Sequence, residues 1–417
     1  MDTKWDVIVV GAGLAGLAAA ATAGRAGSRV LVLEAHQPGG RARTVERQEF
    51  VLNMGAHALY VGGAGMSVLT SLGINPVGAP PPLARYQALS SGRRHLLPTG
   101  PSTLFRTTLI GPRSKAQLIG MLGRLPRVDP EPLRGTSLAD WLSGFRLRPD
   151  VDAVVRALVR LSTYTDDLEG FSADAGIAQL QLAARGGVLY LDGGWAQLIE
   201  ALSVGLEIRT GVHVTAIDRT GSHVDVLTAE GTLSAPSVVL AAGTPQAIGH
   251  LLPVDPGWGD LGAPVTAACL DLGVSRVPSP GYVLSIDDPI YVNVQAPPAR
   301  QAPDGQAVVA AIRYGARGAA EDRDQLEGLV AEAGVRAEDV VTRRFLAAMT
   351  VSGTLPRARN GGLPGRPSIT ATGIPGVVMA GDWVGPTGLL ADAALASGQA
   401  AGRHAGRVRS SSTKMVR

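Results

Sequence analysis

The stretch Trp5–Val10 (WDVIVV), with Gly11-Ala12-Gly13-Leu14-Ala15-Gly16 directly after it, decides how the rest of the chain is read. A run of apolar, β-branched residues without polar alternation is what a strand covered on both faces requires, so a parallel sheet is expected. The run stops at glycine. The spacing G-x-G-x-x-G then opens an alanine-rich stretch of strong helix propensity that ends near Gly27, and a second apolar run, Arg29 to Leu33, closes on Glu34. In such a strand–helix–strand unit the first glycine makes the tight turn, the second lets backbone approach a pyrophosphate, and the third lets helix pack closely on strand. Phosphates sit at the helix N-terminus, where free N–H groups and the helix dipole favour an anion. Glu34, about 20 residues past the first glycine, is placed to accept hydrogen bonds from ribose hydroxyls. Glycine is plentiful here, so the spacing alone is weak; the strand, helix, second strand and acid around it carry the assignment.

Gly39-Gly40-Arg41-Ala42-Arg43-Thr44 follow the acid, and the far end of the chain carries a matching set: Gly376–Met379, Ala380-Gly381-Asp382-Trp383, Gly388-Leu389-Leu390-Ala391-Asp392, and Ser397-Gly398. G-G-R-x-x-T at this distance, joined to those C-terminal motifs, resembles the flavin amine oxidase and phytoene desaturase superfamily, which includes protoporphyrinogen-oxidase-like enzymes. The resemblance implies FAD, and attachment is expected to be noncovalent because the one cysteine, Cys269, lies far from the C-terminal flavin motifs. The resemblance also implies that Gly11, Gly13, Leu14, Ala15, Gly16, Glu34, Ala35, Gly40, Arg41 and Ala42 hold the dinucleotide, with the planar Arg41 guanidinium against the phosphates. Asn53-Met54-Gly55-Ala56-His57 resembles the segment that passes the flavin ring, which assigns Gly55 and Ala56 to the cofactor; the family often has Asp where Asn53 stands. Asp382, beside Gly381, would bond the ribityl or pyrophosphate part. The helix that begins near Leu390, Ala391 and Asp392 would aim its N–H groups at the flavin C2 carbonyl and N1. Between the two ends, Val214 resembles the backbone position that holds adenine, and Val238–Leu240 leads into Gly243 near the cofactor; plain sheet core remains the alternative for both.

The composition bounds these readings. A chain of 417 residues with 45% apolar and 18% charged residues is globular and long enough for two or three domains. A net charge of +3 does not suggest nucleic-acid binding. The single cysteine, Cys269, allows no internal disulfide, iron–sulfur cluster or multi-cysteine metal centre, so no metal is expected. No charged-then-apolar leader and no apolar run near the ~20 residues of a membrane helix stand out, which points to a cytoplasmic, reducing setting.

The fold class expected is α/β: a discontinuous Rossmann-like FAD-binding domain from residues 1–75, 190–250 and 345–405, with a second α+β substrate-binding domain from 76–189 and 251–344. Residues 406–417 read as a flexible tail. Helical patches are expected around Trp141, Val151–Leu161 and Ala175–Ala184, while Ala263–Val294 alternates like strands. No second G-x-G-x-x-G follows a strand, so no nicotinamide domain is expected, and oxygen, a quinone or another carrier would reoxidise the flavin.

The resemblance implies removal of two hydrogens from a C–C or C–N bond of a small, largely apolar substrate, with hydride passing to flavin N5. Tyr60, Tyr190, Trp195 and Trp383 are candidates for the substrate pocket, with simple core packing as the alternative. His57 and Tyr164 are the candidates for catalysis. Of the 38 basic residues only Lys4, Lys115 and Lys414 are lysine. The lysine that flavin amine oxidases hold near N5 therefore has no evident counterpart, and a desaturase-like dehydrogenase or oxidase is favoured. An amine oxidase, a flavin-dependent isomerase and a lipid-binding protein of the GDP-dissociation-inhibitor type stay open. Residues 102–127 carry five basic and no acidic side chains among apolar ones, a pattern suited either to peripheral membrane contact or to a solvated helix face. The oligomeric state is not legible.

Overall fold

The computed structural model describes residues 4–55 and 57–414; Ala56, one of the expected cofactor contacts, lies outside them. Strand Val7–Val10 lies at the centre of a five-stranded parallel sheet in the order Glu207–Thr210, Val30–Glu34, Val7–Val10, Ser237–Leu240, Val377–Met379. The unbroken apolar run has a direct cause. Val7, Val9, Val30, Val32, Val239 and Val378 face one core, and Ile8, Val10, Leu31, Leu33, Val238 and Leu240 face the other. On the first side the Leu14–Arg25 helix packs along the Leu390–Lys414 helix and against Ala196–Ser203. Small residues, Ala15 and Ala19 against Gly398 and Gly402, let the two long helices approach closely. A three-stranded antiparallel meander, Val214–Thr220, His223–Thr228 and Gly231–Ala235, covers the second side through Ile217, Val224 and Val226.

The larger sheet has seven strands in the order Val340–Ser352, Val265–Val274, Ala307–Tyr314, Ile290–Ala296, Val283–Ser285, Gln87–Ser90, Arg93–Leu96. Its neighbours pair antiparallel except Gln87–Ser90 with Val283–Ser285. The stretch Ala263–Val294 supplies strands as expected, and both Ile290–Ala296 and the later strand Ala307–Tyr314 are buried along their whole length. Several polar members are inside and partnered. Asp271 meets Arg344 of the adjoining strand at 2.7 Å, Gln295 accepts from Asn53 at 2.9 Å, and Arg313 meets Asp322 of the Ala319–Glu332 helix at 2.9 Å. Helices Leu138–Ser143, Pro149–Thr163 and Ala173–Gly186 occupy the expected patches and pack into the same core.

Where the chain passes between the two large sheets, Val188–Leu191 pairs with both Leu59–Tyr60 and Gly78–Ala79. At the other end the Leu390–Lys414 helix runs into the stretch from 406 onward. A helix that packs its small residues on Leu14–Arg25 has a reason to continue that sequence composition alone does not supply.

Candidate functional site

Ligands of open parallel sheets bind beyond the carboxyl ends of the strands, and here those ends open on a cavity of about 590 Å³. The turn after Val7–Val10 forms its first wall. Gly11 has φ +103°, and a Cβ there would lie 2.5 Å from the Ala241 carbonyl oxygen. Gly16 packs on Gly11 so closely that a Cβ would fall on the Gly11 carbonyl oxygen, so it belongs to the support of the wall rather than to the wall itself. Gly13, by contrast, faces open space at the N-cap of Leu14–Arg25, and no side chain or first-turn acid there competes for the helix N–H groups. Glu34 stands at the end of the next strand, its Oε2 accepting from the Ala12 N–H at 2.7 Å and its Oε1 from the His36 N–H at 2.9 Å. Ala35, Gly40, Ala42, Val214 and Gly243 complete this part of the lining.

Arg41 and Asp382 join the two ends of the chain. The Arg41 Nη atoms donate to both Asp382 oxygens at 2.8 and 2.7 Å, and Nη1 also reaches the Val351 carbonyl at 2.9 Å. The guanidinium fork expected on phosphate is therefore spent on a carboxylate, while the residue's outer edge still lines the cavity. Burial, the largest single influence, pushes the Asp382 carboxyl up, but the Arg41 charge and the hydrogen bonds from Arg41, Ser352 and the Gly353 N–H together outweigh it and hold the group below its ordinary value. Beneath this pair Arg366 donates to the Asp382 and Gly388 carbonyls at 2.9 Å each, and burial pulls it down to about 10. It stays a cation at neutral pH.

Gly381, Leu390, Ala391 and Asp392 bring the N-terminus of the last helix to the cavity. Leu390 has φ +53°, a strained conformation for a side-chain-bearing residue of the kind found where a ligand is held. Asp392 is buried and accepts from the Gly65 N–H at 2.7 Å, and burial pushes its carboxyl up to about 6.

The inner part is made of side chains. Tyr60, Tyr164, Trp195, His57 and Met349 all line it. Tyr60 donates to the Ser162 carbonyl at 2.9 Å, and burial raises its phenol to about 12. Tyr164 is the left-handed C-cap of Pro149–Thr163, with φ 61°, and stands edge-on to Tyr314 at 5.9 Å; burial raises it well above the phenol range. His57 has Nδ1 3.0 Å from the Gly55 carbonyl and its ring 5.2 Å from Trp195, and burial pushes its pKa down. It is a neutral wall residue at neutral pH. Asn53 donates to Gln295 at 2.9 Å and accepts from the Trp195 backbone N–H at 2.9 Å. An amide donates and accepts at once, which an ionised carboxylate cannot.

Two aromatic candidates do not reach the cavity. Tyr190 is buried with its hydroxyl 3.1 Å from that of Tyr86, and Trp383 is fully buried, donating to the Gly243 carbonyl at 2.7 Å. Gly55 also lies off the wall, packed over Cys269 and Met349. Met349, Thr350 and Val351 line the cavity although nothing in their sequence distinguishes them from sheet core; His36 and His213 do so as an edge-on ring pair 5.6 Å apart.

These features fit FAD. The glycine turn leaves room where a Cβ would block approach, the helix N-terminus is uncapped, and the Trp195 Nε1 is a buried, unpartnered donor on the wall.

Known proteins give the same picture. The family model described as flavin containing amine oxidoreductase matches residues 14–259. An oxidoreductase from Methanosarcina mazei superposes with a TM-score of 0.72 at 18% identity over 94% of this chain and 98% of its own. Cyclohexylamine oxidase from Brevibacterium oxydans gives 0.69 at 19%, covering 97% and 99%, and putrescine oxidase with bound putrescine gives 0.70 at 18%, covering 97% and 99%. At such identities the likeness establishes the fold. No curated protein sequence matches.

Proposed function

The chain belongs to the flavin containing amine oxidoreductase family and is an FAD-dependent oxidoreductase, and from that premise we propose that it removes two hydrogens from a C–C or C–N bond of a largely apolar metabolite, as a desaturase-like dehydrogenase or oxidase. The observation that carries the substrate class is the lining: Tyr60, Tyr164, Trp195, Met349 and Leu389 surround the inner cavity, and among the described residues no lysine lines it. Lys115 instead donates to the Phe105 carbonyl at 2.8 Å, outside the site.

Gly11 to Ala15 and the helix N-terminus would hold the pyrophosphate, Glu34 the ribose hydroxyls, and Val214 the adenine. Arg41 and Asp382 would flank the central part, and the helix N-terminus at Leu390–Asp392 the flavin ring. Bound FAD supplies a two-electron acceptor at its ring. The chain's own contribution is placement: the aromatic walls fix the donor carbon and keep water out, and effective concentration supplies most of the acceleration. His57, neutral and tied to the Gly55 carbonyl, would shape the wall. The cofactor would be noncovalent, since the one cysteine, Cys269, lies beneath Gly55 and off the lining. The same reading divides the chain into a nucleotide domain and a substrate domain, with Val340–Ser352 of the substrate sheet presenting Met349–Val351 to the cofactor.

The purified protein should be yellow and release free FAD on denaturation; colourless protein that takes up no FAD overturns the cofactor reading. Anaerobic bleaching of the flavin with polyenes, porphyrinogens and amines tests the substrate class. Bleaching by simple amines alone would replace the desaturase reading with an amine oxidase.

A further inference from the structure

The helices Pro101–Arg106 and Pro112–Arg124, with the turn Leu125–Arg127, have no part in the cofactor cavity. The second helix buries Ser114, Leu118 and Met121 and turns Lys115, Ile119 and Leu122 outward, one turn apart along a single face. Ile119 is 56% exposed, Leu122 37% and Phe105 85%, an unusual concentration of large apolar side chains in water. Lys115 donates to the Phe105 carbonyl, which ties the two helices into one surface. Around the apolar groups stand Arg106, Arg113, Lys115, Arg124 and Arg127. Among the described residues none of these five forms an ion pair, whereas Arg134, Arg156 and Arg160 nearby pair with Glu131, Asp152 and Asp166. In the packed neighbour Pro149–Thr163, Asp150 lies 4.0 Å from Arg148.

Exposed apolar groups ringed by uncompensated cations need a partner that is apolar inside and negative outside. We propose that this surface docks on an anionic lipid bilayer, with Phe105, Ile119 and Leu122 entering the headgroup boundary and the five cations meeting lipid phosphates and carboxylates. The helix Pro149–Thr163, against which Pro112–Arg124 packs, ends in Tyr164 at the cavity wall, so docked surface and cavity share one structural member. Docking stands independently of the substrate class and of catalysis.

The test is co-sedimentation of the FAD-loaded full-length protein with vesicles of phosphatidylcholine alone or with about 30% phosphatidylserine, at low and high salt. Binding to the anionic vesicles at low salt, weakened by salt and at least tenfold weaker to phosphatidylcholine alone, is expected. Phe105→Glu with Ile119→Glu, and separately Arg113→Glu with Arg124→Glu, should each weaken it at least tenfold while the flavin spectrum and melting temperature stay as in the parent. Absence of binding to anionic vesicles, equal binding to both compositions, or variants that bind like the parent would overturn the proposal. Self-association through the patch, abolished by Phe105→Glu without vesicle binding, would overturn it in favour of a second copy of the chain.

Discussion

The two ends of the cavity are built by different means. The nucleotide end is backbone: a turn at Gly11, an open helix N-terminus at Gly13, and strand ends at Glu34 and Val214. The inner end is side chains, with Tyr60, Tyr164, Trp195 and Met349 delivered by four separate segments. A site of backbone geometry constrains residue types at fixed short spacing, because only certain residues tolerate the turn. A site of packed side chains constrains only size and polarity, and its members can come from anywhere in the chain. The first should therefore be brittle and the second adjustable.

Gly16→Val is the severest way to probe that difference. Its Cβ falls on the Gly11 carbonyl oxygen, so the turn must open, at a cost of ~3 kcal/mol or more. The FAD-to-protein ratio, read from absorbance, should fall to near zero, and the melting temperature should drop. A variant that stays fully yellow would show that the turn is not the brittle element.

Asp392→Asn probes the seam between the two ends and should act in the opposite direction. In the folded chain burial holds the Asp392 carboxyl at about 6 against an ordinary 3.8. Folding therefore favours the protonated form, and stability is lost as pH rises from about 4 through about 6, by ~2–3 kcal/mol in all. The asparagine variant avoids this penalty while its carbonyl still accepts from Gly65. Unfolding midpoints of the cofactor-free proteins should coincide near pH 4, with the variant higher above pH 7; parallel curves would refute the assignment.

The mildest change is Tyr164→Phe, which removes one hydroxyl from the inner wall. Cofactor content and melting temperature should hold, with a stability change under ~1 kcal/mol, while the ranking of substrates that bleach the flavin should shift. Loss of FAD instead would mean that the inner wall also carries the cofactor.

The same contrast governs what could be read without coordinates. The strand Val7–Val10, the turn and Glu34 are legible because period, glycine spacing and a terminal acid are local signals. Asp382 is legible as a site residue, but its bond to Arg41 is not, since nothing in either motif says that a guanidinium suited to phosphate will face a carboxylate. Tyr190 and Trp383 sit beside cofactor motifs yet point into core; adjacency in sequence fixes a side chain's position along the chain but not its direction. Met349–Val351 carry no signal at all, being ordinary members of a strand whose end happens to reach the cavity.

The Arg41–Asp382 bond joins residues 341 positions apart, and the strand Val7–Val10 has as its sheet partners Val30–Glu34 and Ser237–Leu240, with Val377–Met379 beyond. Seen from the ribosome, the first motif to emerge is among the last to be completed. At synthesis rates of about 5–20 residues per second the apolar opening strand waits on the order of tens of seconds for the segment that carries Asp382. A chain cut short before that segment lacks the carboxylate that Arg41 meets and the strand beyond Ser237–Leu240, however intact its glycine motif.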